Sequence, residues 1–293
     1  MDFGRLITAM ITPFDENGKI NWAETSKIID YLIEEQKSDS LVICGTTGES
    51  PTLHEEEKLE LFAFALEHAK GRCKIIAGTG SNSTEHSIHL TQEAEKLGVD
   101  GALLVVPYYN KPSQEGIYRH FEAIARSTNL PVMLYNVPGR TVASISAQTT
   151  LRLAEIPNIV ATKECASIEQ VTQIAAGAPD SFRVYSGDDA STLPALAVGA
   201  YGIVSVASHI IGASMKDMIQ AYLNGEIAGA TKIHQKLFPV FKGLFECPAP
   251  VPNPSALKYA LNELGHSVGG VRLPLIDPSE SEAAFIRELI ASL

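Results

Sequence analysis

Short apolar runs alternate with longer amphipathic segments along most of this chain. Eight of the runs are rich in Val, Ile and Leu, as is typical of parallel strands covered on both faces. They occupy residues 6–12, 41–45, 74–80, 101–107, 131–137, 158–164, 182–188 and 202–208. The segments between them predict helices; the one at 55–70 has a predicted apolar face made of Leu59, Phe62, Ala63 and Leu66.

Eight repeats of a strand followed by a helix predict an α/β fold, the (β/α)8 or TIM barrel, which typically uses about 250 residues. An open doubly wound sheet is the main alternative. That fold often carries G-x-G-x-x-G or G-x-x-x-x-G-K-[ST] after a strand, and GTGSNS at 78–83 has the wrong spacing for either motif. We therefore predict a TIM barrel catalytic domain over residues 1–225.

The chain continues beyond the eighth repeat. Helical patterns at 227–245, 254–264 and 279–291 are interrupted by the proline-rich ECPAPVPNPS at 246–255. These features predict a small C-terminal helical domain over residues 226–293 rather than a ninth repeat.

Composition narrows the classes of partner. The 293 residues are 45% hydrophobic and 19% charged, which favours a folded globular protein. A net charge of −11 argues against nucleic-acid binding, because phosphate contacts require clustered Lys and Arg. No stretch approaches the roughly 20 apolar residues that span a bilayer, and the N-terminal run predicts a strand rather than a signal peptide. We expect no membrane association.

The spacing of the cysteines indicates the cellular compartment of the protein. They are far apart and form no C-x-x-C pair, as expected of reduced thiols in a cytoplasmic protein rather than of a disulfide framework or a zinc site. The four positions are Cys44, Cys73, Cys165 and Cys247.

Glycines, hydroxyls, tyrosines and single charges gather where the predicted strands end, whereas the strand beginnings are plain. In a TIM barrel the loops after the strand ends build the active face. This asymmetry predicts an enzyme. The motifs concerned are GTTGES (45–50), GTG (78–80), PYYNKP (107–112), YNVPGRT (135–141), Lys163-Glu164 and SGDD (186–189).

Lys163 ends an apolar run, although lysine is among the least buried residue types. A solvated surface lysine is the simplest interpretation of this segment alone. Side chains alternate faces along a strand, so regular strands would let a lysine, a tyrosine and a threonine meet at the inner mouth. The predicted inward sets are Ile159, Ala161 and Lys163; Met133 and Tyr135; and Val42, Cys44 and Thr46.

A lysine in that position predicts imine chemistry. Burial disfavours the ammonium form, and a neutral amine attacks a ketone to give an imine, whose protonated form promotes loss of a proton from the adjacent carbon. Tyr135 is the candidate proton shuttle. The Thr46-Thr47-Gly48 turn is a candidate nest for the carboxylate of a 2-oxo acid.

Other readings of single residues are weaker. His86 and His89 have i, i+3 spacing, but no further ligand joins them in pattern, so we expect no metal. Cys44 lacks a paired histidine, so we expect it to be a core residue rather than a nucleophile. Tyr135 could be a core aromatic and Arg140 a solvated loop charge, but their joint placement with Lys163 at one face favours a site.

GTTGES, AGTGSN, VVPYYNKP, YNVPGRT, ATKE and YSGDD, in this order, resemble the dihydrodipicolinate synthase (4-hydroxy-tetrahydrodipicolinate synthase) family, within the superfamily of pyruvate-dependent class I aldolases that includes N-acetylneuraminate lyase. The resemblance runs from about residue 5 to the C-terminal helices. It implies condensation of pyruvate with L-aspartate-4-semialdehyde to 4-hydroxy-tetrahydrodipicolinate, the committed step of diaminopimelate and lysine biosynthesis, without a cofactor.

The same resemblance implies roles for individual residues. Lys163 would form the Schiff base, and Tyr135 would donate and accept protons. Thr46 and Tyr109 would complete the relay, Tyr109 reaching the neighbouring subunit across a tight dimer interface, and two tight dimers would form a homotetramer. The implied substrate-binding residues are Thr46, Thr47, Arg140, Gly187 and Val204.

Arg140 favours the synthases over their relatives, since sialic-acid and sugar-acid lyases of the superfamily lack an arginine after YNVPG, and a planar guanidinium suits the semialdehyde carboxylate. Two alternatives remain. One is another pyruvate-dependent aldolase, and the other is a non-catalytic barrel that senses a 2-oxo acid; the latter would not need a proton relay. A pyridoxal phosphate barrel enzyme is disfavoured because no lysine lies near the first strand.

One departure from the family concerns feedback inhibition. Lysine-inhibited members use histidines in the helix after GTTGES and a glutamate in the helix after GTGxN. Here Glu55 and Lys58 stand at the former positions and His86 at the latter. We therefore predict weak or absent inhibition by lysine.

Overall fold

The structure, a computed structural model, describes residues 1–247 and 250–293. Two residues of the predicted break at 246–255, at positions 248 and 249, lie outside the described residues.

Eight parallel strands form a closed barrel in chain order, and the eighth strand pairs with the first. The predicted TIM barrel is confirmed. The strands are β1 (Leu6–Ala9), β2 (Ser40–Ile43), β3 (Lys74–Gly78), β4 (Gly101–Val105), β5 (Val132–Asn136), β6 (Ile159–Glu164), β7 (Arg183–Ser186) and β8 (Gly202–Ser205). Most end earlier than predicted because the motif residues that follow adopt turns.

Helices alternate with the strands and then follow the barrel. They are α1 (Trp22–Glu34), α2 (Glu55–Ala69), α3 (Thr84–Leu97), α4 (Gln114–Arg126), α5 (Pro138–Thr141), α6 (Ala147–Leu153), α7 (Ile168–Gly177), α8 (Thr192–Ala197), α9 (Ser208–Leu223), α10 (Ile227–Gly243), α11 (Ser255–Glu263) and α12 (Glu280–Ala291). The predicted boundary at 225/226 falls in the turn between α9 and α10, where Gly225 has a φ of +82°. The division into two domains stays a prediction. No described helix is long and apolar enough to cross a membrane.

The predicted apolar face of α2 is partly wrong. Phe62 is buried as expected, but Ala63 is exposed, and Leu61 and Ala65 are buried instead. The apolar residues of this helix cover a broad arc, and a small alanine adds little to the pattern, so the sequence did not fix the centre of that arc.

The barrel interior holds its own apolar cluster, separate from the core between strands and helices. Each strand contributes an inward residue, and Phe3 belongs to the same cluster. The strand contributions include Ile7, Val42, Ile76, Leu103, Met133, Ala161, Tyr185 and Val204.

The predicted alternation on β6 is correct only towards the strand end. Val132 pairs with Ile159 but Met133 pairs with Ala161, so an irregularity in the register skips Val160. Ile159 therefore belongs to the outer core, and Val160 packs against the interior cluster. The inward prediction was wrong for Ile159 and right for Ala161.

Cys44 is a second correction to the predicted inward set. β2 ends at Ile43, and Cys44 adopts a left-handed backbone with a φ of +57°. Strand alternation does not continue through such a residue. Cys44 accordingly belongs to the outer core, and burial raises the pKa of its thiol to about 12, which favours the predicted core role.

Candidate active site

Lys163 lies inside the barrel near the carboxyl end of β6 and is only 4% exposed. It is in register with Tyr135 on β5 and with Tyr185 on β7. Its Nζ lies 4.4 Å from the centroid of the Tyr135 ring. The surface-lysine interpretation is therefore excluded, and Lys163 and Tyr135 meet as the alternation of side chains predicted.

Glu164, the next residue, directs its buried carboxylate into a separate network. The carboxylate accepts hydrogen bonds from Asn136 Nδ2 at 2.9 Å and from Gln170 Nε2 at 2.9 Å. Desolvation raises the pKa of Glu164. The acid adjacent in sequence to Lys163 is thus held by amides.

Gly187 gives the stem of Lys163 its space. A Cβ at this position would lie 2.9 Å from Lys163 Cγ and 2.2 Å from Cys165 Sγ. A side chain here would displace the lysine or the cysteine, so only glycine fits without rearrangement. Val204 is fully buried in the interior cluster on β8.

The GTTGES turn follows β2 beside the mouth. Thr46 is half-buried and lines the cavity described below. Thr47 is buried, and its Oγ1 accepts a hydrogen bond from Asn253 Nδ2 at 3.0 Å. The backbone N–H of Glu49 donates to the Thr46 carbonyl at 3.0 Å and closes the turn.

A cavity of about 560 Å³ opens at this end of the barrel. That volume is in the range of small-molecule sites. Among the predicted site residues, its lining includes Thr46, Tyr135 and Arg140. Arg140 lies on α5, the short helix that directly follows β5. The cavity also extends past Lys58 and His86.

Tyr109 does not join this group within the chain. It is 88% exposed and has a φ of +71°, whereas its neighbour Tyr108 lines the cavity. The structure therefore brings together Lys163, Tyr135 and Gly187, with Thr46 and Arg140 at the cavity wall, and leaves Tyr109 apart.

His86 and His89 on α3 contact a carboxylate on the preceding helix, α2. His89 Nε2 lies 2.9 Å from Glu55 Oε1, and His86 Nδ1 lies 3.5 Å from Glu55 Oε2. Within the described ranges, no group of three or more potential ligands could hold a metal ion.

Sequence reasoning missed the contacts behind the GTTGES turn. Glu49 bonds Lys258 across 209 residues of chain, and Asn253 bonds Thr47 across 206. The proline-rich break that contains Asn253 predicts only an interruption between helices. No local pattern connects these residues, so the sequence carried no signal for the pairing.

A closed barrel with a buried lysine and a tyrosine at one mouth is typical of TIM-barrel enzymes of the class I aldolase type. The family model described as "Dihydrodipicolinate synthetase family" matches residues 2–292, so the chain belongs to that family. It is a lyase-type enzyme of amino-acid biosynthesis.

Similar curated proteins agree with this assignment. The 4-hydroxy-tetrahydrodipicolinate synthase of Bacillus velezensis is 56% identical over 294 residues, and that of Bacillus subtilis is 55% identical over 295; each match covers all of both chains. A solved dihydrodipicolinate synthase from Bacillus anthracis has a TM-score of 0.97 at 51% identity, covering 100% of this chain and 99% of that one.

Proposed function

We propose that this protein condenses pyruvate with L-aspartate-4-semialdehyde through a Schiff base on Lys163 and releases 4-hydroxy-tetrahydrodipicolinate. The observation that carries the proposal is the buried Lys163 amine against the ring of Tyr135, which lines the same cavity as Arg140. The full-length relatives are named for the product, 4-hydroxy-tetrahydrodipicolinate, and the resemblance of the motifs to that family implies the two substrates.

The chemistry follows from these positions. The Lys163 amine attacks C2 of pyruvate, and loss of water gives a protonated imine, which loses a C3 proton to form an enamine. The enamine carbon attacks the aldehyde carbon of the semialdehyde, whose oxygen takes up a proton to become the 4-hydroxyl. The semialdehyde amine then attacks the imine carbon, closes the ring and frees Lys163.

We assign proton transfer in this scheme to the Tyr135 hydroxyl, since Tyr135 lines the cavity and its ring lies against the reacting amine. The Thr46–Thr47 turn would hold the pyruvate carboxylate, and the Arg140 guanidinium would bind the semialdehyde carboxylate. Gly187 and Val204 would border the imine. The scheme uses no cofactor and no metal.

The first test is reduction with borohydride after incubation with pyruvate, followed by peptide mass spectrometry. A pyruvate adduct on Lys163 is expected. Semialdehyde and sialic acid then serve as alternative partners in product assays. Consumption of pyruvate with semialdehyde supports the synthase, pyruvate release from sialic acid supports a lyase, and a folded protein without an adduct contradicts both.

Assembly into a homotetramer of two tight dimers, in the cytoplasm, forms part of the proposal. The exposure of Tyr109 supports the dimer contact, because an exposed side chain is available to a neighbouring subunit. Mixing inactive Tyr109→Phe and Lys163→Ala subunits should restore activity to about a quarter of the wild-type value, since half of randomly mixed dimers are mixed and each has one complete site. No recovery after verified subunit exchange would contradict the shared tyrosine.

Feedback by lysine is expected to be weak or absent. Lys58 lines the cavity and would repel the side chain of a bound lysine, and His86 offers no carboxylate to its α-amine. A relative from Cyanidioschyzon merolae, 44% identical, was solved with lysine bound. Inhibition of this protein at millimolar lysine or below would contradict the prediction. Gain of inhibition in Lys58→His/His86→Glu would show that these positions decide it.

A further inference from the structure

Two buried charges meet behind the GTTGES turn, outside the reacting centre. Lys258 on α11 and Glu49 in the turn have side chains that are each 1% exposed, and Lys258 Nζ lies 2.7 Å from Glu49 Oε1. The same Nζ donates to the Gly270 carbonyl at 2.7 Å and lies 4.0 Å from the centroid of the Phe14 ring. Isolated buried charges are costly, so each partner depends on the other.

The geometry of Glu49 shows what this pair constrains. Glu49 has a φ of +57°, a left-handed conformation that is unusual for a residue with a side chain. Its second oxygen, Oε2, accepts from the backbone N–H of Arg272 at 2.8 Å. Both carboxylate oxygens are therefore held by the segment that follows the barrel, while the Glu49 N–H closes the turn on Thr46.

A second attachment reaches the neighbouring threonine. Asn253 Nδ2 donates to Thr47 Oγ1 at 3.0 Å, and both residues are buried. The C-terminal segment thus holds both sides of the turn that carries Thr46 and Thr47. A buried ion pair is weak evidence for stability, because an apolar pair of similar volume often serves as well; fixing one geometry is the better-attested use.

We propose that Lys258, acting through Glu49 and alongside Asn253, is a positioning residue for pyruvate: it holds the Thr46–Thr47 turn where the pyruvate carboxylate binds. The inference rests on the proposed function. Lys258 Nζ contacts Glu49, the Gly270 carbonyl and the Phe14 ring, none of which is a proposed substrate-binding group, so its effect on catalysis passes through the turn. Loss of Lys258 should therefore weaken pyruvate binding selectively, rather than slow every step.

The test is steady-state kinetics on Lys258→Met, which removes the ammonium and keeps most of the chain length. The KM for pyruvate is expected to rise about tenfold, while kcat at saturation and the KM for semialdehyde change less than about threefold. Lys216→Met is the matched control. It breaks the ion pair between Lys216 on α9 and Asp39, just before β2, and should leave both KM values unchanged.

Two further variants separate positioning from stability. Lys258→Met/Glu49→Gln removes both charges and should recover thermal stability while the pyruvate KM stays raised; recovery of both would overturn the proposal. If Lys258→Met does not fold, Asn253→Ala decides, because it strands no buried charge. A rise of about threefold in the pyruvate KM is expected there, and no change would overturn the proposal.

Failure of the proposed function gives a different result. A wild-type protein that forms no borohydride-trapped pyruvate adduct on Lys163 rejects the function and the inference together. A wild-type adduct on Lys163, with the pyruvate KM unchanged in folded Lys258→Met, rejects the positioning role alone.

Discussion

The two ends of this barrel are built for different purposes. At the carboxyl ends of the strands a cavity of about 560 Å³ reaches Tyr135, whose ring lies against the buried Lys163 amine. At the amino ends of the strands, the polar groups form hydrogen bonds with one another. Tyr185 Oη donates to the Gly4 carbonyl at 2.9 Å, and Asp39 Oδ2 accepts from the backbone N–H groups of Arg5 and Leu6 at 2.8 and 3.0 Å.

Backbone strain follows the same division. Among the residues that the structure describes, seven other than glycine have a positive φ, and five of them lie at most six residues after the end of a barrel strand; they are Cys44, Glu49, Tyr109, Lys111 and Val142. The other two, Lys37 and Lys70, follow helices. Unfavourable backbone conformations persist where surrounding contacts enforce them, and they gather at functional loops. The site residues and most of the strained backbone therefore lie at one end of the barrel, and internal hydrogen bonds close the opposite end.

Two tyrosines allow a direct test of this contrast. Tyr135 and Tyr185 flank Lys163 in strand register, but only Tyr135 has Lys163 Nζ over its ring. Tyr135→Phe should lower kcat by about 10² to 10⁴, the range of proton-transfer catalysis, with the protein still folded. Tyr185→Phe should keep kcat within about threefold and lose about 1–3 kcal/mol of stability, because the Gly4 carbonyl loses its donor. Equal losses of kcat in the two variants would refute the contrast.

We expect low pH to reduce the stability of the protein through His209, which lies at the cavity end of the barrel. Its Nε2 accepts a hydrogen bond from the N–H of Ile11, in the loop after β1, at 3.2 Å. Its Nδ1 lies 2.8 Å from the carbonyl of Val206, in the loop after β8. Burial lowers its pKa to about 4 from 6.5, so the folded protein binds fewer protons than the unfolded chain between these values. Stability should therefore fall as the pH drops through that window, by about 3 kcal/mol from this group.

Urea unfolding at pH 7 and 4.5 measures the effect, with His209→Gln as the matched variant. The wild type should lose about 2–3 kcal/mol more than the variant on acidification. Glu164 and Asp189, whose pKa values are raised by burial, act in the opposite direction in both proteins and so cancel in the comparison. Equal losses in wild type and variant would exclude His209 as the acid-sensitive group.

The smallest effect on stability is expected at the end of the barrel opposite the cavity. Asp39→Asn keeps one oxygen but weakens the bonds to two backbone N–H groups and the ion pair with Lys216. We expect a loss of about 1–3 kcal/mol in the free energy of unfolding and no change in either KM. Chemical denaturation and steady-state kinetics on the same preparation would check both; a raised KM would show that the two ends are coupled.

The sequence by itself determined the barrel and most of the mouth. Short apolar runs rich in Val, Ile and Leu, and the motifs after them, predicted eight strands, and the alternation of side chains along a strand placed Lys163 and Tyr135 on one inner face. These features are local, because a strand exposes its faces in a fixed order and the loops after parallel strands share one end. Alternation failed at Ile159 and Cys44, where a register shift and a left-handed residue broke the regular strand.

Only the tertiary structure decided what supports the mouth. The bonds of Lys258 with Glu49 and of Asn253 with Thr47 span more than 200 residues. Neither end of such a pair has a local signature, since a lysine on a helix and an asparagine in a proline-rich segment usually face water. Burial and partner choice depend on where the C-terminal segment meets the barrel, and that meeting exists only once the whole chain has folded.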